Sequence, residues 1–386
     1  MEPLSQQSRM LYQAALVLFL VTIVIGILNG LDVWEPSHEM LITHVHAGTL
    51  GWITMAVIGV LLTMFGARAS QEAVRTGRTL AMASLVTIVL YVITFAIGPG
   101  IYRPLAGTLL LAVLIWVLVW TSRQYRASSK STAHLAILLA TISLVIGAVL
   151  GVLLGLFIAN GSLPGLDTET AQALAGAHPP AMLIGYLILA GVAVAAWQLD
   201  GANNRLGRAT AWILFVAGII ANIALIFNVE PLIQVFSALQ VVGIVLFLIA
   251  IWPQLRSPAG SPFAKAAVLF LAIGIGLLIY VVQLFVSGTL DPEAGTGPIR
   301  VLTAFDHAMF IGVMTNALLA VVAGMVNWGA AARPLRWAIN LGLAVFLLGL
   351  VADSSVLIRL GSPILGLALI WAIVVAVPAL GRSRPA

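Results

Sequence analysis

Four histidines, His44, His46, His178 and His307, sit near the starts of otherwise apolar stretches. A glycine follows within a few residues in each case: Gly51 after the first two, then Gly185 and Gly312. An imidazole is a common metal ligand. In hydrocarbon it is costly without a partner, so a histidine inside a membrane span marks a candidate site. The surrounding segments look alike: "GILNGLDVWEPSHEMLITHVHAGTLGW" (26–52), "GLFIANGSLPGLDTETAQALAGAHPPAMLIGY" (155–186) and "LFVSGTLDPEAGTGPIRVLTAFDHAMFIGV" (284–313). From His46 to His178 is 132 positions, and from there to His307 is 129. His44 and His46 are two residues apart, about 200° around a helix axis, so they face different neighbours. The plainer alternative for that pair is ring N–H groups bonded to backbone carbonyls. For His178 and His307 it is an ordinary helix-start residue, next to Pro179 and Asp306 respectively. His38 and His134 lack this placement and read as solvated.

These residues must be positioned by a membrane bundle. The chain of 386 residues is 61% hydrophobic and 8% charged, with a mean hydropathy of +1.12; a water-soluble surface needs far more charge. Apolar runs of membrane-spanning length occur near 11–29, 41–65, 78–98, 103–121, 134–158, 178–198, 207–228, 231–253, 265–287, 301–326, 333–352 and 359–379. The expected fold is all-α: one polytopic domain over 1–386, with about twelve transmembrane helices in three pseudo-repeats of four, at about 1–130, 131–260 and 261–386. Numbering the loops alternately from an inside N-terminus puts fifteen of eighteen Lys and Arg inside, with only Arg103, Arg300 and Arg359 outside. By the positive-inside rule, both termini are expected in the cytoplasm, in a bacterial-type inner membrane. The basic balance thus signals topology, and no nucleic-acid partner is expected. The first run, with only Arg9 before it, reads as a retained helix rather than a signal peptide.

In this topology the four histidines lie at one depth, on the second, sixth and tenth spans, where a bundle core builds cofactor sites from facing side chains. There are no cysteines, which excludes thiolate metal sites and thioether-linked haem; a haem would be held by histidine. Gly48 and Gly51 share the face of His44, which suits either a flat macrocycle or close helix packing. Asn222, Asn228, Glu230, Tyr280 and Gln283 read as interhelical hydrogen-bonding groups or as a ligand pocket.

"HVHAGTLGW" resembles the His-x-His segment of subunit I in cbb3-type haem–copper oxidases. More weakly, the whole chain resembles that superfamily, with twelve helices in three arcs and haems ligated near the outer side. In length it is similar to the haem- and copper-binding NnrS-type membrane proteins. The resemblance implies one or two b haems, with His44 on a high-spin and His46 on a low-spin iron, and His178 or His307 as the further ligand. It places Arg359 as a partner of haem propionates. The segment sits on the second span here rather than the tenth. The seventh span has no histidine for a three-histidine copper site, and Tyr186 is the only tyrosine near a candidate ligand, so a binuclear centre and proton pumping are not expected, and the ligand count disfavours copper. What the resemblance implies is a haem b redox protein taking electrons from a quinol or a cytochrome and meeting oxygen or nitric oxide. The alternatives are a protein that binds nitric oxide without turnover, and a metal or haem transporter.

Overall fold

The computed structural model describes residues 4–290 and 295–382. Among the described residues, twelve helices are long and apolar enough to cross a membrane: α1 (Ser5–Gly30), α2 (His38–Gly66), α3 (Gln71–Ile97), α4 (Tyr102–Ala127), α5 (Thr132–Asn160), α6 (Thr168–Gln198), α7 (Arg205–Ile226), α8 (Glu230–Arg256), α9 (Pro262–Val286), α10 (Arg300–Met325), α11 (Gly329–Val351) and α12 (Ser355–Gly381). The described residues hold no strand, as expected where every backbone group must be satisfied without water. The protein is an all-α, multi-pass membrane protein.

Six helices begin on a Ser, Asp or Asn that accepts the N–H three residues on: Ser37, Ser70, Ser131, Asp167, Asn204 and Ser354. Each satisfies one of the free donors that a helix start leaves. Asp167, in the loop before α6, accepts from both the backbone N–H and the hydroxyl of Thr170, and those bonds hold its carboxyl below the usual carboxylate range.

Burial separates the helices into two classes. In α2, α6 and α10, 78% of the central window is buried, against 33–44% in the other nine. These nine form a closed ring in the order α1, α3, α4, α5, α7, α8, α9, α11, α12, with α12 returning to α1. The three central helices carry the four candidate histidines, and each holds a π-helical stretch just inward of them: Ala47–Thr54, Ala181–Leu187 and Ala308–Thr315. Such stretches are rare and gather at functional sites. The hydroxyls of Thr54 and Thr315 donate to the carbonyls five residues back, those of Thr49 and Phe310, at 2.8 and 2.9 Å.

Glycine contacts fix the register of the repeat. Gly51 faces Leu18, Gly185 faces Ser143, and Gly312 faces Phe270. One turn outward, Gly48 faces Thr22, while Met182 fills the space beside Gly147 and Met309 that beside Gly274. Gly48 to Met182 and Gly51 to Gly185 are both 134 positions, and Gly48 to Met309 and Gly51 to Gly312 are both 261. His44 therefore corresponds to His178 and Phe305, and His46 to Pro180 and His307. The spacing of 132 and 129, which equates His46 with both other histidines, is off by two in the second repeat. Gly48 and Gly51 are filled by α1 side chains, so of their two expected roles the packing one is met.

Two alanine substitutions in α10 separate close packing from helix propensity. A methyl at Gly312 would lie 2.6 Å from Cβ and Cγ of Phe270, whereas Gly324 has nothing within 4 Å. Gly312→Ala is expected to cost about 1–3 kcal/mol as overpacking, and Gly324→Ala to gain up to about 1 kcal/mol in helix propensity. Thermal unfolding in detergent checks this; equal responses would contradict the packing described.

Candidate histidine-pair site

All four histidines are half-buried in the bundle, at the same end. Each commits Nδ1 to a backbone carbonyl. His44 bonds the Thr22 carbonyl of α1 at 2.9 Å, and His178 bonds the Gly147 carbonyl of α5 at 2.8 Å. His46 and His307 bond the carbonyls four residues back in their own helices, Ile42 at 2.9 Å and Thr303 at 2.8 Å. The two modes follow the repeat register: His44 and His178 reach across to the preceding helix, with their rings against Gly26 and Gly151, while His46 and His307 bond within their own helices. A carbonyl bond at Nδ1 makes Nδ1 the protonated nitrogen and leaves the Nε2 lone pair free. This is the bond that the plainer alternative expects. It is also the bond that orients a metal-ligating histidine.

The structure brings His44 and His307 together, with ring centroids 6.5 Å apart and planes inclined by 31°. A metal bound at about 2 Å from each of two imidazole nitrogens separates the ring centres by roughly 6 Å. Both rings line one open cleft, with a cavity of about 50 Å³, between α1, α2, α10, α11 and α12, walled by Phe19, Ile23, Ile311, Phe346 and Leu369 among others. Phe346 lies edge-on to His307 at 5.1 Å. His46 turns the other way. It stacks on Phe95 at 3.7 Å, meets Tyr91 edge-on at 6.2 Å, and lies within electrostatic range of His178 and Arg103. The first histidine of each pair occupies one repeat position and its partner the other, on the preceding central helix. The third such combination is Phe305 with Pro180, which offers no ligand. Among the described residues no three His, Asp or Glu side chains converge in a cluster that could hold a metal ion.

The three arginines at this end differ. Arg359, the expected propionate partner, pairs with Asp32 at 2.6 Å, both largely exposed; it stands one turn above the cleft residue Ser362. Arg300 pairs with Asp353 in the same exposed setting. Arg103 is 8% exposed. Its Nε and Nη2 donate to the carbonyls of Thr94 and Phe95 at 3.3 and 3.1 Å, and its guanidinium lies over the Phe95 ring. No carboxylate pairs with it among the described residues.

Of the other candidates, Asn228, Glu230, Tyr280 and Gln283 are exposed on the bundle surface, which does not match interhelical bonding; Asn222 is buried. His38 is exposed at the start of α2, as expected. His134 is half-buried, hydrogen-bonded to Ser131 and edge-on to Phe65 at 4.9 Å, so it is a packed residue rather than a solvated one. No family model and no curated protein matches the chain.

The two arginine settings predict different tolerances. Arg359→Gln removes an exposed ion pair and should change stability by no more than about 1 kcal/mol. Arg103→Met strips the donors from two carbonyls and should cost about 1–3 kcal/mol. Melting temperatures in one detergent compare them; a larger loss for Arg359→Gln would contradict the assignment.

Proposed function

We propose that this protein binds haem b, which His44 of α2 and His307 of α10 would hold between them. The observation that carries the reading is the pair itself: two half-buried rings 6.5 Å apart on one cleft, each with Nδ1 anchored and Nε2 free. Two imidazoles are too few to enclose a bare ion at a structural site. They would suffice for haem, which needs only one or two ligands from the protein. The apolar walls suit a flat hydrophobic group, and Arg359 and Arg300 near its outer edge offer cations to its carboxylates. His46 and His178 would serve a second iron on the other face of α2, with Arg103 as the cation there.

Such a group, when bound, supplies reversible one-electron transfer. The chain's part is to hold the rings in one tautomer, exclude water with the surrounding aromatic residues and neutralise the carboxylates. Electrons would come from a membrane quinol or a cytochrome, with oxygen or nitric oxide as the class of acceptor.

The test is a reduced-minus-oxidised absorption spectrum of the detergent-purified protein, with iron assayed on the same sample. Sharp b-type bands are expected, with one or two irons per chain. His44→Ala and His307→Ala should each remove the same component of the spectrum, and His38→Ala should leave it unchanged. A folded, colourless protein made where haem is ample would refute the proposal.

A further inference from the structure

We infer that Trp52 and Thr315 are positioning residues that set the spacing of the His44–His307 pair; the inference rests on the haem reading above. Trp52 is fully buried, and its indole Nε1 donates to Thr315 Oγ1 at 3.0 Å. The hydroxyl in turn donates a hydrogen bond to the Phe310 carbonyl, so it is used as both donor and acceptor and its orientation is fixed. Trp52 lies eight positions inward of His44, and Thr315 eight positions inward of His307. The bond therefore ties α2 to α10 at matching depth, roughly 12 Å below the rings at 1.5 Å per residue. A slip of one helix past the other by a turn, about 5.4 Å, would break both the bond and the ring spacing. The same brace reaches the site through packing: Trp52 stacks on Phe19 at 5.1 Å with planes 11° apart, and Phe19 lines the cleft beside His44.

The threefold register shows what is special about this contact. The residue equivalent to Trp52 in α6 is Tyr186, whose hydroxyl is directed at Thr54 of α2 without meeting hydrogen-bond geometry. The equivalent in α10 is Val313, which packs against Gly191 of α6. The three central helices thus touch cyclically, α2 on α10, α6 on α2 and α10 on α6. Of these three contacts, the one bonded with good geometry joins the helices bearing the close histidine pair.

The experiment compares wild type with Trp52→Phe, Thr315→Val and Thr315→Ser, the last keeping the acceptor. Two readouts are taken. In the haem-loaded protein, the fraction of low-spin iron is measured by electron paramagnetic resonance, along with the fraction that binds carbon monoxide. In protein with or without haem, spin labels on His38→Cys and Ile299→Cys report the distance between the ends of α2 and α10; the chain has no native cysteine to compete. Thr315→Val and Trp52→Phe are expected to raise the carbon-monoxide-reactive fraction several-fold and to broaden or shift the distance distribution, while Thr315→Ser stays near wild type. Unchanged distances with intact folding would overturn the inference. So would a low-spin fraction at the wild-type level in Thr315→Val. A wild type that takes up no haem would refute the haem reading alone, since the distance measurement still decides whether the brace sets helix spacing.

Discussion

A polar ring inside a membrane must find its hydrogen-bond partner within the protein, and for each of the four candidate histidines that partner is a backbone carbonyl. The four Nδ1-to-carbonyl bonds decide the rest of the arrangement. They fix the tautomer, aim Nε2 away from the anchoring helix and remove most of the cost of burying imidazole. In His44 and His178 the carbonyl belongs to the preceding helix, so the bond also fixes how α1 meets α2 and how α5 meets α6. Gly26 and Gly151, set against the rings, make room for that approach. Only with this anchoring in place does the 6.5 Å separation of His44 and His307 become a defined ligand geometry.

Threefold repetition supplies the scaffold and also its asymmetry. Each repeat contributes one buried central helix with a π-helical stretch, and three outer helices complete the ring. The small and large partners exchange sides between facing positions, Thr22 with Gly48 in the first repeat against Gly147 with Met182 and Gly274 with Met309 in the others. The histidines are distributed unequally over this frame. The first central helix carries both repeat positions as histidine; the second and third carry one each. Two of the three interhelical spaces thus receive a pair, and the third receives Phe305 and Pro180. A symmetric fold yields unlike sites through a handful of substitutions at equivalent positions.

Much of this was legible in the chain. Hydropathy alone marks twelve spans, because lipid allows so few backbone solutions, and the recurring His-to-Gly pattern picks out the second, sixth and tenth as the special ones. The pairing was not legible. Two histidines in one helix allow two registers, and spacing in sequence left the partner of His46 open, because the second and third central helices carry their single histidine at different repeat positions. The π-helical stretches left no signal either: apolar residues all around a buried helix give no periodicity to read. The contrast between Arg359 and Arg103 depends on Asp32, 327 positions from Arg359, a proximity only the folded bundle reveals.

The central claim is that α2 and α10 together grip one iron between His44 and His307. A cryo-electron-microscopy map of the detergent-purified, haem-replete protein tests it most directly. The account predicts flat density with a central metal peak between the two rings, reached by Nε2 of each. Rings bridged by water or packed on each other with no metal peak between them, or density bound elsewhere in the bundle, would contradict it.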